Sequence, residues 1–399
     1  MPTHNTSATS PLRIGVFTTD NRDHWRKYDL PNPIFGPAIE ALFEGFALFP
    51  QEIEVHIISA TQKPLQHPDR LGPNLWYHSV VVPKWGWLRG AYAGCIRAVR
   101  SQARVLRLDL VHGQGTERDC ALEAVFSGLP NILTLHGNMR AVARALQAKP
   151  FTYHWFHSYL EALAIRRAGM VFCNSSYTES QARPLNPHSC RMPNPVRSVF
   201  FEPAHVPPPK KDASLKLLVV GLIAGYKQPL EILRVLREWR QRGAPPFHCR
   251  WVGALSGETA YVRSFLSEMA AAQADGWADH CPAMPAQALR GEMDARDILI
   301  HVPKEEAFGL VVAEAMLRGM RIVGAQAGGM VDFAPLYPAF SWVDPQTPSD
   351  WVQVLDSPEC RSPTRTNRDQ WNSLLYHPRE IARRHLECYR SFLHPSRAA

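Results

Sequence analysis

Short apolar runs alternate with helix-period segments along most of this 399-residue chain, in two successive series. Such alternation marks parallel α/β layers, because a parallel strand buried on both faces needs a crossover helix before the next one. In the first series, strands fit residues 12–18 (LRIGVFT), 54–60 (EVHIISA), 76–82, 109–112, 131–136 and 170–174, and helices fit 37–48, 88–107, 120–127 and 153–168. Residues 201–214 (FEPAHVPPPKKDAS) then carry three consecutive prolines, which favour extended chain over a packed element. The alternation restarts with strands at 216–221, 248–253, 298–302 and 321–325, and helices at 229–241, 260–274, 309–318 and 378–392. The expected fold class is α/β, two Rossmann-like doubly wound parallel-sheet domains facing a cleft. They span 12–205 and 215–377, with a linker at 206–214 and a helix at 378–394 crossing back to the first domain. Ligands of such sheets bind beyond the strand C-termini.

An apolar content of 45% can build a core in each domain. The eight cysteines are scattered singly, without metal-ligand spacing, and read as reduced thiols of a cytoplasmic protein. Residues 1–11 are polar and no run of eighteen apolar residues occurs, so neither a cleaved signal nor a membrane span is expected. A formal charge of +8 favours anionic partners, while the lack of zinc-finger spacing or an RNP motif argues against nucleic acid. Arg97, Arg100, Arg104 and Arg107 fall at near-helical spacing just after Trp85 and Trp87. That pattern suits either peripheral contact with the inner face of an anionic membrane or the solvated face of an ordinary crossover helix.

The densest chemical signal is PKEEAFGLVVAEAMLRG at 303–319, directly after the apolar run ILIHV. A helix starting near Phe308 and Gly309 offers free N–H groups and a positive dipole end to a phosphate. Glu306 sits just before that terminus and Glu314 two turns beyond it. Read in isolation, such glutamates merely complement the dipole or face solvent. Together, E-x-F-G-L-V-x-x-E-A-M-x-x-G over 306–319 resembles the signature of glycosyltransferase family 4, retaining enzymes of GT-B fold.

The resemblance implies that Glu306 contacts the transferred sugar, Glu314 holds the ribose hydroxyls, and the backbone of Phe308, Gly309 and Leu310 binds the donor diphosphate. The family's G-R-x-x-x-x-K clamp is matched by GLIAGYK at 221–227, giving Gly221 and Lys227 donor roles but placing Leu222 where the arginine belongs; Arg140 or Lys27 is a candidate replacement from the first domain. Gly36, in FGPA, is the counterpart of the family's N-terminal glycine loop or simply a turn before a proline. His136, in LTLHGNM, resembles the strand-end histidine beside the donor sugar. His112 and Glu117, in VHGQGTERD, are candidates for the acceptor side. Met284 faces the nucleobase or is a buried loop methionine, and Gly328 and Gly329 form a donor loop or a tight turn. No metal ligand and no cofactor is expected, only a nucleotide-diphosphate sugar as co-substrate, since no D-x-D pair occurs. The implied activity is retaining, metal-independent transfer of a hexose-type sugar to a carbohydrate, lipid-linked or small-molecule acceptor. A sugar-nucleotide epimerase of GT-B fold and a non-catalytic sugar-nucleotide-binding partner are the alternatives.

Overall fold

The computed structural model describes residues 10–203, 214–361, 363–367 and 371–395. The linker expected at 206–214 therefore lies, Ser214 apart, outside the described residues. The first sheet holds β1 (Leu12–Phe17), β2 (Ile53–Thr61), β3 (Arg70–Gly72), β4 (Leu75–Val81), β5 (Leu110–Gln114), β6 (Asn131–Leu135), β7 (Met170–Cys173) and β8 (Ser189–Arg191). Their spatial order is β3-β4-β2-β1-β5-β6-β7-β8, parallel throughout except that β3 runs against β4. The second sheet, all parallel, holds β9 (Leu215–Val220), β10 (Phe247–Val252), β11 (Ala278–Cys281), β12 (Ile298–His301), β13 (Arg321–Ala325) and β14 (Phe340–Val343), in the order β11-β10-β9-β12-β13-β14.

Both sheets reverse direction of winding at an inner strand, between β1 and β5 in the first and between β9 and β12 in the second. Loops leaving adjacent strands at such a switch point diverge to opposite faces and leave a crevice. The central strands are held by burial on both sides: every residue of β5 and of β12 is buried. The final helix, Pro378–Leu393, adds Ile381, Ala382, Leu386 and Tyr389 to a core of the first domain. It packs on the helix Pro37–Phe46, where a side chain at Gly45 would come within 2.3 Å of the Pro378 carbonyl oxygen.

The segment expected as one helix at 88–107 is divided. Leu88–Gly90 forms a separate 3-10 turn, Ala91 and Tyr92 take positive φ of 47° and 62°, and the helix runs Ala93–Val105. Arg107, at φ 50°, lies beyond its end. Trp85 is exposed, but Trp87 is buried and its indole N–H donates to the Val82 carbonyl at 3.0 Å, so only one of the two tryptophans faces solvent. Among the described residues, no helix is long and apolar enough to cross a membrane.

Candidate active site

After β12 the chain turns through 302–309 into the helix Leu310–Leu317, with Gly309 at φ 89° and no side chain capping the first turn. The leading N–H groups are thus open to a ligand. Phe308 anchors the turn by packing edge-on against Phe333 and Tyr376. Glu306 Oε2 accepts from Lys227 Nζ at 2.6 Å and lies 3.0 Å from His301 Nε2. Burial works to raise the Glu306 carboxyl, but the Lys227 charge and the His301 hydrogen bond outweigh it and hold the group well below the usual carboxylate range. Burial likewise works against the Lys227 ammonium, and Glu306 more than restores it. His301 is pushed down, chiefly by burial. The result is a partly buried, charged Lys227–Glu306 pair braced by His301 at the mouth of a helix.

Gly328 and Gly329 are required by close approach. A side chain on the first would meet the Glu306 carbonyl oxygen at 2.0 Å, one on the second the Ala307 carbonyl oxygen at 2.1 Å. The Gly329 N–H donates to the Glu306 carbonyl at 2.9 Å, tying this segment to the glutamate's loop. The first domain grips the glutamate's loop and the turn packed on it: Ser175 Oγ donates to the Ala307 carbonyl at 2.6 Å and Tyr177 donates to Glu305 at 3.0 Å, while the Ser176 N–H donates to Asp332 of the 328–333 turn at 2.7 Å.

Glu314 is buried and faces Arg197, whose guanidinium lies 3.0 Å from it and 3.6 Å from Glu40. Burial raises the Glu314 carboxyl and Arg197 only partly opposes the rise. Leu222 is 37% exposed, so the residue in the family's arginine position is not a core residue. Neither expected replacement lines the cleft: Arg140 borders a groove with Trp155 and Tyr159, and Lys27 lies exposed over the Trp25 ring. A basic residue of the first domain that does pair with the second is Arg197, which lacks any sequence signal beyond its charge.

A cavity of about 310 Å³ opens where the domains face each other, lined by Gly36, Gln114, Glu117, His136 and Asn194 of the first domain and Leu310 of the second. Gly36 has an ordinary φ of −72°, and a side chain there would touch only Ile39, at 3.9 Å. What a glycine leaves free at this position is cavity. His136 Nε2 lies 2.8 Å from Gln114 Oε1, and burial pushes the imidazole down to about 4, so it is neutral near pH 7. Glu117 is raised by burial, opposed by backbone N–H groups of Glu117, Gly137 and Thr116.

His112 is a correction. It is fully buried, its ring nitrogens 2.6 Å from the Tyr389 hydroxyl and 2.7 Å from the Thr134 hydroxyl, and it lines no part of the cavity. Its register partner on β6 is Ile132, four residues short of His136, or about 13 Å deeper in the sheet. Gly221, at φ 149° with open space around it, directly follows β9, and Met284 is half-buried against the second domain's core. Thus Glu306, Lys227, Phe308 and Gly309 form one cluster, Leu310 joins it to the cavity of Gly36, His136 and Glu117, and Glu314 sits with Arg197. Sequence reading missed His301 and Arg197; a polar residue closing an apolar strand was the available signal for His301.

Residues 46–197 match the model of Glycosyltransferase Family 4. The chain is 25% identical over 342 residues to D-inositol 3-phosphate glycosyltransferase of Arthrobacter sp. (strain FB24), covering 80% of each protein. In fold it is similar to sucrose-phosphate synthase from Thermosynechococcus elongatus, with TM-score 0.72 and 15% identity over 96% of this chain and 100% of that one. It is also similar to Anabaena HepE in complex with UDP and glucose, with TM-score 0.66 and 14% identity over 95% of this chain and 100% of that one. Two switch-point sheets meeting over a helix mouth are the GT-B fold of these structures, and the chain is similar to glycosyltransferases of that fold, with the Glycosyltransferase Family 4 match lying over residues 46–197.

Proposed function

We propose that the protein transfers a sugar from a nucleotide-diphosphate donor to an acceptor hydroxyl with retention of anomeric configuration and without a divalent metal. The observation that carries this reading is the Lys227–Glu306–His301 cluster beside the uncapped N-terminus at Gly309. The leaving diphosphate gains negative charge as the glycosidic bond breaks, and preorganised N–H groups and an ammonium aimed at it lower the barrier. Lys227 has three N–H donors, so it can hold Glu306 and a phosphate oxygen together. Glu306, kept ionised, can accept from sugar hydroxyls, and Glu314, released from or shared with Arg197, from the ribose diol. Neutral His136 can give or accept one hydrogen bond at the sugar without adding charge. Because HepE is seen with UDP, a uridine diphosphate sugar is the first donor to try.

A thermal-shift panel of nucleotide sugars, in EDTA and in manganese, tests the binding half of this reading. At 100 times its dissociation constant a true donor adds about 2.7 kcal/mol of stability. Product NMR then tests the anomeric outcome. A donor shift that appears only with manganese defeats metal independence, an inverted product defeats retention, and epimerised donor without transfer moves the protein to the epimerase reading.

A further inference from the structure

The cavity beside Gly36 does not end there. Thr19, Asn21, Gln114 and Glu117 also border a second cavity of about 310 Å³, which continues past His24, Arg118 and Tyr153 into a third of about 440 Å³. Every residue lining the second and third belongs to the first domain, so this path leads away from the donor helix. The third holds His24, Lys84, Arg89 and Arg118 with Trp87 and Tyr153, and no carboxylate lines it.

Arg118 stands at the junction of the two inner cavities. Its Nη1 is buried without a hydrogen-bond partner, and its ion pair with Asp119 is loose, at 3.8 Å. Asp119 and Asp23 offset part of its charge. The guanidinium is held over the Trp87 ring at 5.2 Å, and that ring is fixed by its bond to Val82. Lys84 and Arg89 are exposed and have no salt bridge among the described residues. A buried N–H without a partner is costly, and one multiply charged anion with several acceptor oxygens satisfies it while pairing with the three cations that line the cavity. A phosphate ester meets that description better than a carboxylate, since it brings nearly two charges and three oxygens. The aromatic rings at the same wall suit the apolar face of a sugar or polyol.

We propose that Arg118, Lys84 and Arg89 form an anion subsite for the acceptor, and that the hydroxyl compound this protein glycosylates carries a phosphate ester. The proposal rests on the glycosyltransferase reading above. The same chemistry reaches the subsite from a soluble phosphorylated sugar or polyol, or from a phospholipid headgroup.

Calorimetry on the full chain tests it, with UDP saturating so that the donor's phosphate site is filled. Inorganic phosphate and glucose 6-phosphate bind, glucose does not, and Arg118→Met weakens the phosphate probes roughly 10- to 100-fold while Arg118→Lys restores part of the loss. Flotation with phosphatidic acid or phosphatidylcholine vesicles identifies the source: Arg118-dependent binding to the former alone assigns the phosphate to a lipid. Should Arg118→Met fail to fold, Lys84→Ala with Arg89→Ala, both on exposed residues, carries the same comparison. The proposal is overturned if UDP binds but no phosphate probe or vesicle does so in a way these substitutions weaken. Absence of any UDP binding strikes the glycosyltransferase reading instead, so the two failures are distinguishable.

Discussion

Replacing Lys227 by alanine removes the only lysine or arginine within salt-bridge distance of Glu306 among the described residues. Two effects follow, of different size and seen by different assays. Losing a preorganised donor to developing charge costs about 10²–10³ in rate, roughly 2.7–4 kcal/mol of barrier. Breaking a buried ion pair by removing one partner costs about 3–5 kcal/mol of stability. Here the lower part of that range applies, because the Lys227 and Glu306 side chains keep 20% and 15% exposure and His301 still lies 3.0 Å from the carboxylate. The stability effect has a pH signature. Glu306 is held below its unfolded value, so its contribution is complete above that value, about 4.3, and fades as pH falls below it. The gap between wild type and Lys227→Ala therefore narrows below about pH 4. Steady-state kinetics with the donor found by thermal shift, and urea unfolding at pH 7 and at acid pH, measure the two effects. Turnover within threefold of wild type in a folded Lys227→Ala protein would refute the role given to this lysine.

Three further outcomes are expected. His136, His157 and His385 are each pushed down to about 4, first by burial, so the unfolded chain binds more protons between pH 6.5 and 4, and stability should fall steadily as pH drops through that window; urea midpoints that stay flat from pH 7 to 4.5 would show these rings are not buried neutral. His112→Ala leaves the Tyr389 and Thr134 hydroxyls without their partner and opens a void, costing about 3 kcal/mol while turnover per folded molecule holds, and a specific loss of kcat would return His112 to the chemistry. In Gly36→Ala the backbone accepts the methyl group, so stability should change by no more than about 1 kcal/mol, yet turnover should drop at least about tenfold because the methyl occupies the cavity; unchanged kinetics would mean nothing binds against Gly36.

What the sequence alone determined is the part of the molecule set by local pattern. The central strands were legible because burial on both faces demands continuous apolar runs, and the helix mouth at Gly309 because its glutamate, glycine and apolar positions are consecutive. The strands that pattern did not reveal, β3, β8, β11 and β14, are the four outermost of the two sheets, where one flank is open and no such run is needed. Only the tertiary structure decided which strand-end histidine faces the cleft. His112 and His136 close similar apolar runs, but the register of β5 against β6 sets His112 four residues deeper, under a helix that begins more than 260 residues later in the chain. It also brought Arg197 to Glu314 across 117 residues, where no periodicity could announce the pairing. A strand's own sequence encodes its burial; its offset from its neighbours, and therefore which of its polar residues reach the rim where ligands bind, is fixed only when the sheet and the helices on it close together.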